Sequence, residues 1–200
     1  LKTRFGIGTA AGASIRQTGA PLIPIVLVNF ADKKIGQDGY APNNTEAVAF
    51  FKRHFNGDKY NEGKYVGSVR DYFISQSDSL FQPGFDILGP VTLEHASSYY
   101  GSNYGGTDTK ATEMMAEAIK KLTENGTDFS VYTTADNNVP LTAFVYAGDG
   151  EHATGKSDDV MACYYPYFRS QIGTSKFQTA LCVNETADYD GKGQQPDGIG

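Results

Sequence analysis

Apolar positions along the chain change their period several times, and each change marks an element. Ile25-Val26-Leu27-Val28-Asn29-Phe30 is a β-branched run with almost no polar break, the pattern of a central strand buried on both faces. Pro21 and Pro24 stiffen its entry, and a charged turn follows through Asp32-Lys33-Lys34. Ala47, Val48, Phe51 and Phe55 then recur at helical spacing, in a helix that starts near Asn44 or Thr45 and stops before Gly57. A second helix opens at Ser68, with Asp71 as the acidic partner of a capping box and Val69, Tyr72 and Phe73 as its inward stripe. Strand-like pieces follow at Leu80–Phe81, Phe85–Leu88 and Val91–Leu93. The clearest helix is capped by Thr107 or Asp108, presents Ala111, Met114, Met115, Ala118, Ile119 and Leu122 on one face, and ends before Gly126. Ala143–Ala147, Asp159–Tyr164 and Phe177–Val183 read as further strands. This order predicts an α/β (α+β) domain, a mixed sheet of about five strands with about three packed helices. Residues 1–20 have no period and read as an extended arm or pro-region remnant, ahead of a single domain over 21–200. The tail from Ala187 to Gly200 is polar, Gly-rich and aperiodic.

Composition narrows the possibilities. A chain of 200 residues can bury roughly 70% of its unfolded surface, so neither disulfide nor metal is needed for folding. The net charge is −6 and the sequence pI near 5.0, with no basic run beyond two Lys-Lys pairs, which argues against a nucleic-acid partner. No stretch approaches the ~18 apolar residues of a membrane span. Cys163 and Cys182 sit in apolar surroundings outside any Cys-x-x-Cys pattern: buried thiols in a reducing compartment, or a bridge in an oxidising one.

Read for chemistry, the residues do not assemble a complete active site. His54, His95 and His152 are too far apart in sequence for one helix face to present two imidazoles. His54 reads as solvated, His95 as a loop residue, and His152, in AGDGEHATG, as the one facing a cleft. There is no Gly-x-Ser-x-Gly elbow, and the Gly-rich pieces FGIGTAAG and YGSNYGG lack the ending of a phosphate loop. Asp136-Asn137-Asn138 offers one carboxylate to a calcium ion, and Asp188 and Asp190 flank a tyrosine.

Five segments occur in one order: GAPLIPIVLVNFAD, GSVRDYFISQSDSLFQPGFDILGPVTL, SSYYG, DFSVY and FVYAGDGE. Together they resemble the catalytic domain of the immune inhibitor A-like family of secreted bacterial zinc metallopeptidases, over roughly Pro21 to Gly200. The resemblance implies the upper lobe of a zincin-type peptidase, a secreted or cell-surface location, and a protein or peptide substrate. That family carries zinc on a His-Glu-x-x-His helix, where two imidazoles one turn apart bind the metal and the Glu acts on its water. In relatives the helix follows a segment like LCVNETADYDGKGQQPDGIG, and no His-Glu-x-x-His occurs in the 200 residues. Zinc is therefore expected in the full-length family member but not in this chain, and no catalytic or metal residue can be assigned. Relatives also carry an Asp-rich run after DFSVY, where this chain has Thr133-Thr134-Ala135-Asp136-Asn137-Asn138, so calcium is not expected there.

The resulting expectation is the N-terminal portion of a secreted zinc endopeptidase, inactive alone, whose partner is the C-terminal remainder of the catalytic domain. Peptidases of this build pair substrate with an exposed sheet edge. Leu181, Cys182, Val183 and Asn184 are the candidates for that edge, being nearest in sequence to the missing helix; an internal strand is the other reading of them. A non-catalytic peptide-binding or surface module on a degenerate scaffold is the alternative function, and an unrelated α/β hydrolase lacks a nucleophile motif. If secreted, Cys163 and Cys182 are candidates for a bridge. The Tyr164–Phe168 cluster and the tail are expected to record the uncovered face, by self-association or by disorder.

Overall fold

The computed structural model describes residues 18–37, 44–62, 65–187 and 195–196. In chain order the strands and helices are β1 (Leu22–Asn29), α1 (Asn44–Asn56), β2 (Asn61–Glu62), β3 (Tyr65–Val66), α2 (Val69–Gln76), β4 (Gly84–Thr92) and α3 (Ser97–Tyr100). There follow β5 (Asn103–Tyr104), β6 (Thr107–Asp108), α4 (Ala111–Glu124), β7 (Asn138–Tyr146), α5 (Glu151–Thr154), β8 (Cys163–Tyr165), β9 (Ser170–Ile172), β10 (Ser175–Asn184), β11 (Thr186–Ala187) and β12 (Gln195–Pro196). Short 3-10 turns at Phe129–Tyr132 and Ala135–Asn137 lead into β7.

The main sheet has the order β4-β1-β7-β10-β8, with β9 also paired to β10. β4, β1, β7 and β10 run parallel, while β8 and β9 run antiparallel to β10. This is the expected mixed α/β architecture, with six strands in the sheet. Parallel neighbours need crossover connections: the α1–α2 segment links β1 to β4, the α3–α4 segment links β4 to β7, and the segment through α5, β8 and β9 links β7 to β10.

The two central strands explain the apolar runs. Val26, Leu27, Val28, Phe144 and Val145 are all fully buried, as strands covered on both faces must be. α4 lays Met114, Met115, Ala118 and Ile119, all 0% exposed, against β4 and β1. Each large side chain so buried stabilises the fold by about 1.5–3 kcal/mol. α2 opens with the expected capping box: the Asp71 amide donates to Ser68 Oγ, and the Ser68 amide donates to the Asp71 carboxylate.

Several local expectations are corrected. Of the inward stripe expected on α2, Val69 and Phe73 are half-buried against the core, Phe73 with its ring centroid 6.3 Å from that of Phe85, but Tyr72 points outward at 61% exposure. Thr107 and Asp108 do not cap α4; they form β6 of a small hairpin, and Lys110 occupies the cap position without a side-chain bond. Leu80–Phe81 is no strand, only a bridge between Phe81 and Gly19. The strand expected over Asp159–Tyr164 is the shorter β8. The 1–20 arm lies outside the described residues up to position 17. Most of the tail does too, apart from the β12 pair, which joins β11.

Candidate functional site

The carboxyl ends of β1, β7 and β10 meet at one side of the sheet, where open α/β sheets gather their functional loops. A buried carboxylate organises this end. Glu185, 1% exposed, accepts hydrogen bonds from the Gly36 amide at 2.5 Å and the Gly148 amide at 3.2 Å. Its own amide donates to the Tyr146 carbonyl at 2.9 Å. One side chain thus ties the loops after β1 and β7 to the exit of β10. Nearby, Asn29 Oδ1 accepts from the Ile35 amide, and the Thr186 hydroxyl donates to Asp149.

The run entering β8 is held at several points. Lys33 pairs with Asp159 at 3.0 Å, and Thr154 donates to the other Asp159 oxygen. The Tyr146 hydroxyl donates to the Val160 carbonyl at 2.7 Å, and the Met161 amide donates to the Asp108 carboxylate at 2.8 Å. Burial pushes the Asp108 carboxyl above the usual carboxylate range; the Met161 bond partly offsets this and Glu151 adds to it. Its second oxygen is buried with no hydrogen-bond partner, a placement that favours the protonated acid.

β8 itself is bare on its outer side: among the described residues it pairs with β10 alone. Cys163 and Tyr164 are exposed, and beyond the following turn Tyr167 is exposed under Arg169, whose guanidinium lies 5.0 Å from the ring centroid. Phe168 turns inward onto Phe144, with ring centroids 6.1 Å apart. The YYPYF cluster is therefore split between rim and core.

Leu181–Asn184, expected at the edge, lies in the inner strand β10. The whole segment pairs with β7, and Leu181 and Cys182 pair on the other side with Tyr164 and Cys163. Cys182, Val183 and Asn184 are buried, and only Leu181 reaches 36% exposure. Of the two places left open by the sequence, edge or internal strand, the internal one holds for Leu181 and Cys182, because the preceding segment folds back antiparallel and takes the outside position there.

The family model of the immune inhibitor A peptidase M6 catalytic domain matches residues 16–164 of this chain. The chain belongs to that family. A comparison with curated proteins returned no match. The M6 match covers β1 through α5 and the first two residues of β8, while Tyr165, β9, β10 and the tail lie beyond it.

M6 peptidases are metal-dependent, so the donor set matters. Among the described residues no group of three His, Cys, Asp or Glu could hold a metal ion. His54 is not solvated as expected; it is 4% exposed, stacked on Phe50 and edge-on to Tyr60 and Tyr65. Burial lowers its pKa, and its Nδ1 has no hydrogen-bond partner. His95 stacks on Tyr99 with centroids 4.0 Å apart, and His152 lies exposed on α5. His54 and His95 are each packed against aromatic rings, and the three imidazoles join no such group of ligands, so they do not fit a zinc site. The Asp136-Asn137 turn has left-handed backbone at both residues but brings no second carboxylate with it.

Sequence reasoning passed over Glu185, because an Asn-Glu-Thr tripeptide in a polar stretch reads as surface. It also passed over Asn56, whose amide caps the opposite sheet edge: Phe85 donates its N–H to Asn56 Oδ1 at 2.9 Å, and Asn56 Nδ2 donates to the Phe85 carbonyl at 2.8 Å. The stop before Gly57 was the only signal pointing to that position.

Proposed function

We propose that this chain is the substrate-cleft lobe of a secreted zinc-dependent endopeptidase, and that the outer side of β8 receives an extended peptide by strand addition. The observation that carries the reading is the bare antiparallel edge at Cys163–Tyr165 in a chain of the M6 peptidase family. Main-chain hydrogen bonds would supply affinity, and the exposed rings of Tyr164 and Tyr167 would contact alternate side chains of the peptide. In this reading Leu181 and Cys182 act from behind, in the part of β10 that pairs with β8 and fixes its position. The zinc ligands and general base would come from outside these 200 residues, since no His-Glu-x-x-His occurs within them.

A non-catalytic peptide-binding module is the second reading, since the same exposed β8 edge could pair with a peptide without cleaving it. Hydrogen exchange on the chain mixed with reduced, carboxymethylated casein tests the edge. Slower exchange at residues 163–165 with no change in β4 supports strand addition, and unchanged β8 amides overturn it. Expression through the coding sequence downstream of Gly200 separates the two readings: chelator-sensitive hydrolysis of the casein supports the peptidase, and capture without hydrolysis supports the module.

A further inference from the structure

Neither peptide pairing nor metal chemistry uses the two thiols, yet the fold brings them face to face. Cys163 opens β8, Cys182 lies in β10, and the antiparallel register makes them direct cross-strand partners. Directly opposed residues in an antiparallel pair project from the same face. Their Cα atoms stand about 4.5–5.5 Å apart, within the roughly 4.4–6.8 Å that a disulfide spans. Both thiols are free, one exposed and the other buried. The Cys163 sulfur leans toward the Tyr164 carbonyl at 3.6 Å, so the bridged form differs from the reduced one by a side-chain rotation within the same strand register.

We propose that Cys163 and Cys182 form a reversible disulfide that clamps the edge strand β8 onto β10. It rests on the strand register and stands whether or not β8 binds peptide. The oxidant is a small-molecule disulfide. The exposed Cys163 thiolate attacks one sulfur of that disulfide, forming a mixed disulfide and releasing one thiolate, which takes up a proton. Cys182 then loses its proton to solvent and attacks the Cys163 sulfur, expelling the second small thiol. Two protein thiols and one small disulfide become one protein disulfide and two small thiols. Burial pushes the Cys182 thiol up, so its attack follows local opening of the short rim strand rather than occurring in the closed sheet.

The test uses the full 200-residue chain in oxidised against reduced glutathione. Closure lowers the intact mass by two hydrogens, blocks alkylation of both cysteines after denaturation, and joins the peptides carrying Cys163 and Cys182 in a digest. It also slows hydrogen exchange at residues 163–165 about tenfold or more. The Cys163→Ser variant changes an exposed position and keeps the core intact; it should show no loss of mass and retain fast exchange in β8. A stable glutathione adduct on Cys163 with Cys182 still alkylatable overturns the proposal. So does a cross-linked chain whose β8 exchange is unchanged.

Discussion

The two edges of the sheet are built in opposite ways. At one, β4 runs for nine residues, and a strand this long with free backbone groups would invite pairing with other chains. It is closed off in two places. The side-chain amide of Asn56 takes both the N–H and the carbonyl of Phe85, as the backbone of a neighbouring strand would. Further along, the register slips between Val26 and Val28, with Gly89 and Pro90 in the irregularity, and proline has no N–H to offer. At the other edge β8 has no such cover among the described residues; hydrogen bonds hold the run before it at Asp159, Val160 and Met161, and Tyr164 and Tyr167 are exposed. One edge is sealed by side chains and a kink; the other is left open on a fixed base. That difference singles out β8 as the edge available to a partner.

The largest effect on this contrast is expected at Gly89. Its φ is +91°, and a Cβ there would sit 2.8 Å from the Leu27 carbonyl oxygen, so Gly89→Ala forces strained backbone against the neighbouring strand. A loss of about 3 kcal/mol is expected in denaturant unfolding. Asn56→Ala comes next. It strips both groups of Phe85 at a partly buried position and should cost about 2 kcal/mol. It should also raise concentration-dependent self-association in sedimentation, since β4 is then unsealed; a monomeric variant at every concentration would erase the distinction between the edges.

The third test concerns the support of β8. Asp108 has a raised folded pKa, so the folded state holds its proton where the unfolded state, near the ordinary value of about 3.9, has lost it. Stability then falls as pH rises through the window between those two values. Asp108→Asn keeps an acceptor for Met161 and removes the titration, so its stability should vary less with pH across that window than the parent's. An unchanged pH profile would show that Asp108 is ionised in the fold. The smallest effect is expected at the rim itself. Tyr164 is 55% exposed, and Tyr164→Ala should change stability by no more than about 0.5 kcal/mol while weakening peptide capture.

What the sequence disclosed follows the range of the forces involved. α4 was legible because its apolar stripe at Ala111, Met114, Met115, Ala118, Ile119 and Leu122 is a local pattern that tertiary packing merely completes. The Ser68–Asp71 capping box was legible for the same reason. The order of the strands was not, because β8 precedes β10 in sequence and yet lies outside it, a result of long-range pairing that no local window carries. His54 was misjudged because its polarity suggests water, whereas four aromatic rings from α1 and the β2–β3 region enclose it. At the candidate site, the strand carrying Leu181–Asn184 was foreseen, with an edge place and an internal place both left open, and the structure shows the internal one. The carboxylate of Glu185 gains its meaning only when residues far apart in sequence, Gly36 and Gly148, converge on it.

The length of β8 sets a scale. Three residues at about 3.3 Å each span roughly 10 Å, and only alternate residues turn their hydrogen-bonding groups outward. Such a ledge can grip a short stretch of an incoming chain but offers too few rungs to template a growing fibril. On the proposed strand addition, such brevity would favour weak, quickly released pairing with an extended peptide over stacking of the chain's own copies.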